Sequence, residues 1–351
     1  MRKLFAMFLA AVMMLSLVAC SGGKDTSASE TSTPAASTES EAPVEKVAMS
    51  LCAVHAADSP IDLVCKKMEE LLNDTGLFEI TYYGQGQYGN QGDMMESLLA
   101  GDNVLVIAGP SDVADATGIT DVGTLLAPFL LDTPQETEAI TSSDWWADIC
   151  EQSHAANVHI IGGNLLIEGA RYFWTHTPVV EPSDMAPLKF RTPATTNYLN
   201  TFQAFGTTPV SIAVGDLYTA LQNGTVDAFE FPLADGYAWQ LNEVSEYISN
   251  QSYVTGVVTL TTSAGMWDSL SAEHQAALNE CVAEAAEYGI GVYEEKTNGA
   301  VNMLKDAGME FYDVNIDAYR ACVDKYYELS PFSDGLQDVL DEIMTDYRAN
   351  H

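Results

Sequence analysis

The sequence predicts an α/β fold of two lobes, and three observations carry that expectation. Strand and helix patterns alternate along the chain, as in α/β layers. About 305 residues remain after an N-terminal leader and linker, a length that suits two domains. A helical pattern after Ser271 runs to about Leu304, long enough to span two lobes.

The elements follow in order. Residues 46–54 alternate apolar and polar, as a half-buried strand does. Ser59 then stands as an N-cap with Pro60 at the first helical position, opening a helix to about Asn73. Residues 78–83 read as a strand, 91–100 as a helix, and 104–107 and 158–161 as buried strands. Strand signals return at 171–174, 188–191 and 209–212, with short helices at about 197–205 and 216–221 between them. Ser271 caps the long helix, whose apolar positions include Leu278, Cys281, Val282, Ala285 and Val292. Helices at about 316–327 and 335–347 complete the chain.

The N-terminus reads as a targeting segment. Arg2 and Lys3 precede an apolar run, residues 4–18, of signal-peptide length. The run ends in Leu17-Val18-Ala19-Cys20-Ser21, which resembles a bacterial lipobox with Cys20 as the lipidated residue. Residues 21–45 are mostly Ser, Thr, Glu, Pro, Ala and Gly and are expected to form a disordered tether. No later stretch is long and apolar enough to cross a bilayer. The expected location is therefore extracytoplasmic, with a lipid anchor holding the protein to the cell membrane.

The formal charge of −36 opposes contact with nucleic acid and with anionic lipid headgroups. Five cysteines follow Cys20: Cys52, Cys65, Cys150, Cys281 and Cys322. An odd number leaves at least one unpaired, and a Cys52–Cys65 bridge is open. No Cys-x-x-Cys, zinc-type His/Cys spacing, Walker sequence, G-x-S-x-G or H-E-x-x-H is present. No metal, cofactor or catalytic residue is expected. Gly84-Gln85-Gly86-Gln87-Tyr88-Gly89 spells G-x-G-x-x-G between a strand and a helix. Outside the cell nicotinamide cofactors are scarce, so it is read as a turn feeding the helix.

Cations are the scarce resource. Between Lys67 and Lys296 the chain has only Arg171, Lys189 and Arg191. An arginine in so acidic a protein either neutralises a buried carboxylate of its own chain or grips the carboxylate of a ligand. For Arg171 the local partner would be Glu168, for Arg191 Glu230. Lys189 is expected to be a solvated flank.

Around these residues stand Gly169-Ala170-Arg171, Pro187-Leu188-Lys189-Phe190-Arg191-Thr192-Pro193, Gly206-Thr207-Thr208-Pro209, and a run from Asp216-Leu217-Tyr218 through Ala220-Leu221-Gln222-Asn223-Gly224-Thr225-Val226-Asp227 to Glu230. These runs closely resemble the solute receptors of tripartite ATP-independent periplasmic (TRAP) transporters of the DctP type, over about residues 50–310. The resemblance implies a two-lobed periplasmic-binding-protein-like fold, with the ligand cleft between the lobes and a long inter-lobe helix. It implies lobe I at 46–167 plus about 257–295 and lobe II at 168–256 plus about 296–351.

By position, Arg191 resembles the arginine that grips the ligand carboxylate, and Arg171 a second arginine of the same cleft. His55, Gly109, Ser111, Tyr198, Phe231, Glu230 and Tyr237 are the other candidate ligand-binding residues, with Trp239 a further aromatic wall. Phe231 stands where many members carry Asn, which exchanges a polar contact for an apolar wall. The implied function is capture of a small organic carboxylate for uptake through the TRAP membrane permease subunits. A ligand-sensing subunit and a secreted enzyme of acidic saccharides are the alternatives.

Overall fold

The computed structural model describes residues 46–351. The expected leader, Cys20 and the tether lie outside the described residues. Eleven strands form one curled, mixed sheet. They are β1 (Val47–Cys52), β2 (Phe78–Tyr83), β3 (Val104–Ala108), β4 (Val158–Ile160), β5 (Leu166–Thr175), β6 (Lys189–Thr192), β7 (Thr208–Ser211), β8 (Ala228–Pro232), β9 (Tyr247–Ser249), β10 (Val254–Ser263) and β11 (Glu310–Tyr312). The order is β2-β1-β3-β10-β5-β8-β6-β7, with β4 also on β10 and β11 joined through β9 to β5.

Parallel β1, β2 and β3 build one lobe and parallel β6, β7 and β8 the other. The ten-residue strands β5 and β10 lie antiparallel between them and break register at a bulge between Gly256 and Val257. Helices cover both faces. Met49, Leu51, Val64, Met68 and Leu278 meet on one face of the first lobe, and Val104, Val106, Trp146 and Ile149 on the other. In the second lobe Phe173, Phe190, Phe202 and Tyr253 stack on one face, and Trp174, Leu217, Phe229 and Phe231 on the other. The architecture is the two-lobed α/β fold expected.

Local chemistry accounts for the elements. Ser59 accepts from the Asp62 N–H and Pro60 opens the helix Pro60–Asp74, whose Ile61, Val64, Cys65, Met68 and Leu72 form one buried stripe. Ser271 caps the helix Ala272–Asp306, which has 35 residues and so runs about 50 Å. Its Leu278, Cys281, Val282 and Ala285 pack on the first lobe, and its Ala300 and Leu304 on the second. It bridges the lobes as its length requires.

Three departures from the sequence reading stand out. The helix expected over 316–327 is broken into Ile316–Arg320 and Val323–Leu329. Strand β5 begins at Leu166, well before Arg171. The wholly buried β10 carried no strand signal, because its Thr259, Thr261 and Thr262 break the apolar run. Each of these threonines donates to a carbonyl of β3, at 3.2, 2.9 and 2.9 Å. The five cysteines of the described residues are free thiols, so Cys52 and Cys65 do not pair. No helix among the described residues is long and apolar enough to cross a membrane.

Candidate ligand cleft

Strands β5, β8 and β6 lie side by side and bring the two arginines together. Arg171 lies level with Pro232, and Phe173 level with Glu230, so Arg171 and Glu230 are diagonal neighbours on one face. The Arg171 guanidinium donates from Nη2 to Glu230 Oε1 at 2.9 Å and from Nε to Glu230 Oε2, a two-point fork. Its Nη1 donates to Glu168 Oε2 at 2.7 Å. The Tyr253 hydroxyl donates to Glu230 Oε2 at 3.0 Å, and His55 Nε2 stands 3.4 Å from Glu168 Oε1.

Burial would raise the Glu168 carboxyl, but the charge of Arg171 and the contact with His55 outweigh it and hold it at about 2. The cluster fits because Gly256 faces it: a Cβ there would come within 2.6 Å of Glu168 Oε2 and 2.8 Å of the Gly169 carbonyl. Gly169 itself has φ +139°, which gives the Gly-Ala-Arg run a backbone reason.

Arg191 is equally buried and differently held. Its Nε donates to the Ile212 carbonyl at 2.8 Å, and its Nη1 is buried with no partner. Among the described residues no carboxylate is paired with it. Burial pushes its pKa down to about 10, with Glu230 offsetting this in part. The Phe231 ring lies under both guanidinium groups, 5.5 Å from Arg171 Cζ and 6.0 Å from Arg191 Cζ. The Tyr198 ring faces Arg171 at 5.1 Å.

A cavity of about 730 Å³ opens onto these groups. Such a volume suits a small molecule. Of the residues expected from sequence, Arg191, Arg171, Phe231, His55, Gly109, Ser111 and Tyr198 line it, as does Trp239. Two do not. Glu230 is fully buried behind Arg171 and is consumed by it, rather than serving Arg191 or facing the cavity. Tyr237 packs among the apolar residues around Trp174 and Leu217, while Trp239, two residues on, reaches the cavity. Lys189 is an exposed flank, donating to the Gly224 carbonyl at 2.6 Å. Among the described residues no group of three or more His, Cys, Asp or Glu side chains could hold a metal ion.

Sequence reasoning missed Asp112, Thr195 and Asp235, which also line the cavity. Fifty acids in the chain hid the two aspartates, and Thr195 had no motif to mark it. Several polar atoms around the cavity are buried without partners: His55 Nδ1, Ser111 Oγ, Thr195 Oγ1, Asp235 Oδ2 and Arg191 Nη1. Buried polar atoms are seldom left unpaired. Concentrated at a cavity, they can receive a polar ligand.

Residues 51–331 match the family model for bacterial extracellular solute-binding protein, family 7 (DctP). The chain belongs to this family. It is similar to the C4-dicarboxylate-binding periplasmic protein DctP of Rhodobacter capsulatus, 25% identical over 278 residues, which cover 78% of this chain and 82% of that one. It is also similar to the ectoine/5-hydroxyectoine-binding periplasmic protein of Ruegeria pomeroyi, 24% identical over 73% of this chain and 76% of that one. Among solved structures, a TRAP periplasmic solute-binding protein from Ochrobacterium anthropi with bound L-fuconate superposes with a TM-score of 0.80 at 25% identity, over 86% of this chain and all of that one. A second, from Desulfovibrio salexigens, gives 0.82 at 21% identity and shares the fold. The family is one of receptors, and this DctP-family chain has the receptor's two lobes and cleft.

Proposed function

We propose that the protein captures a small organic carboxylate outside the cytoplasmic membrane and delivers it to a TRAP permease for secondary active uptake. One observation carries this reading: Arg191 is a buried guanidinium with Nη1 unpartnered, facing a cavity of small-molecule size. An uncompensated buried charge is costly, and a ligand carboxylate would offset that cost with a charge-assisted fork. The relatives support the class, since the similar structure from O. anthropi holds a sugar acid and the R. capsulatus relative binds C4-dicarboxylates.

In this reading lobe I is 46–167 plus about 257–295 and lobe II is 168–256 plus about 296–351. The last helix, Leu336–Asn350, reaches back onto the apolar cluster of the first lobe through Leu340 and Met344. Hinge bending about β5 and β10 would lower the His55 and Ser111 wall onto a carboxylate held by Arg191. Closure excludes water and strengthens the pair. Cys20 would carry the lipid anchor, and residues 21–45 would let the lobes reorient over the permease.

The test is mass spectrometry of ligand carried through purification, with calorimetry of the identified acid. A neutral molecule without carboxylate in the cleft would end the reading. Fractionating cells that express Cys20→Ala tests the anchor: a variant recovered in the membrane pellet as fully as wild type would exclude it.

A further inference from the structure

The cavity has two unsatisfied poles of opposite sign. One is Arg191. The other is Asp235, on the short helix Leu233–Ala238 that follows β8. Asp235 is 2% exposed, lines the same cavity, and its Oδ2 has no partner. The other charged groups nearby have partners within the chain, although Asp112 has only the Gly109 N–H, at 2.8 Å, and no cation among the described residues. Arg171 is forked to Glu230 and bonded to Glu168, and His55 stands against Glu168. Two acids and two basic side chains thus form a closed set. Among the described residues that set leaves Arg191 without a directly paired anion and Asp235 without a directly paired cation.

From these two poles we propose that the ligand is a monocarboxylate that also carries a positively charged nitrogen, seated with its carboxylate on Arg191 and its nitrogen toward Asp235. The proposal rests on the carboxylate reading of Arg191 and specifies the class of acid. A second carboxylate would find no free cation, since the Arg171 guanidinium is committed. It would meet instead the carboxyl groups of Asp235 and Asp112, both in the cavity wall. Like charges in a desolvated site repel strongly.

A hydroxyl could donate to Asp235 but would leave its charge uncompensated. An ammonium, or a ring nitrogen bearing a proton, supplies both donor and charge. The state of Asp235 agrees: burial pushes its carboxyl up to about 6, and the charge of His55, a hydrogen bond with Ser59 and the charge of Arg171 offset this only in part, as expected for a carboxylate with no directly paired cation. Aromatic Trp239, also in the wall, is suited to an apolar or cationic body between the poles.

The experiment is calorimetry of the purified protein with a panel of acids. The nitrogen-bearing members are 4-aminobutyrate, 5-aminopentanoate, L-proline and cyclic amidine carboxylates. Matched controls are pentanoate, cyclopentanecarboxylate, succinate and galactonate. At least one nitrogen-bearing acid is expected to bind more than about tenfold tighter than its nitrogen-free analogue. Asp235→Asn should weaken that acid by at least about tenfold more than it weakens the analogue.

Tightest binding of succinate, galactonate or a plain monocarboxylate would overturn the inference and leave the Arg191 reading intact. No measurable binding of any nitrogen-bearing acid at millimolar concentration would also overturn it. Binding of any panel acid that survives Arg191→Ala unchanged would remove the underlying reading instead. Asp235→Asn should leave the thermal midpoint of the ligand-free protein unchanged or raise it, because it discharges an uncompensated carboxylate. A lowered midpoint would show that Asp235 already has a partner in the chain, and would overturn the proposal even if the variant binds poorly.

Discussion

Arg171 and Arg191 sit at the same depth, 3% and 2% exposed, on strands separated only by β8. The first spends three donors on two carboxylates, and the second spends one on a backbone carbonyl and leaves Nη1 unpaired. The cause is strand phase. Glu230 lies level with Phe173, on the face that Arg171 shares, whereas Arg191 lies level with Phe229, one residue out of step. A single acid on β8 can therefore saturate one arginine and not the other. Residue type and burial do not distinguish a structural arginine from a binding one; the phase of the acid on the strand between them does.

The strongest way to break this comparison is through stability. Arg171→Met leaves Glu230 buried without a cation and Glu168 with His55 alone, and should lower the unfolding free energy by about 3–5 kcal/mol. Urea titration of the ligand-free protein measures it. A loss below about 1 kcal/mol would mean that the cluster is not structural.

Arg191→Ala should behave in the opposite sense. The ligand-free protein should unfold at the same urea concentration or a higher one, since an uncompensated charge is removed. Carboxylate binding should weaken by about 2–5 kcal/mol. Arg191→Lys should also bind poorly, because an ammonium cannot form the fork. Calorimetry beside urea titration separates the two effects. A variant that loses stability but keeps affinity would exchange the roles of the two arginines.

A third contrast lies in pH dependence, with expected effects of the order of 1–3 kcal/mol. Glu168 belongs to the saturated cluster and is held at about 2, below its ordinary 4.5. Its contribution is present above pH 4.5 and is lost as pH falls from there toward 2. Asp235 is unsaturated and raised from 3.8 to about 6. Its contribution is present below pH 3.8 and is lost as pH rises through 6. Glu168→Gln should therefore flatten the acid limb of the stability profile. Asp235→Asn should gain on wild type between pH 3.8 and 6 and hold that gain above. Parallel shifts of both variants across the whole range would show that the two carboxyls share one environment.

How much of this was legible depends on what each residue competes with. Arg171 and Arg191 stood out because three cations cross more than two hundred positions of an acidic chain, so the sequence itself limits what they can do. The alternation of strands and helices was legible over much of the chain, but the helices Pro110–Thr117 and Asp144–Ala155 went unread although each has a polar face. Strand β10 was not legible, because Thr259, Thr261 and Thr262 are satisfied by β3 carbonyls, a pairing that exists only in the folded sheet. Glu230 was visible beside Phe231, yet its partner was not, since that partner is set by the β5–β8 register. Asp235 had no signal among fifty acids. What marks it is a missing partner, a property of the packed molecule alone.

The smallest effect concerns Phe231, the residue shared by both arginines. Its ring is 7% exposed and lies beneath both guanidinium groups, at the point where many family members were expected to carry Asn. An aromatic floor there favours an apolar ligand body and leaves ligand hydroxyls without partners, each at about 1–3 kcal/mol. It also supplies about 0.5–2 kcal/mol to each cation it underlies. In Arg171 that contribution adds to two carboxylates already in place. In Arg191 it is one of few interactions present before ligand arrives. Phe231→Asn should therefore cost little stability, about 1 kcal/mol, while shifting preference by roughly fivefold toward hydroxylated sugar acids. A thermal-shift screen of galactonate against pentanoate on both proteins reads the shift. If wild type is already stabilised most by the hydroxylated acid, Phe231 is a packing residue with no part in selectivity, and the asymmetry between the two arginines rests on Glu230 alone.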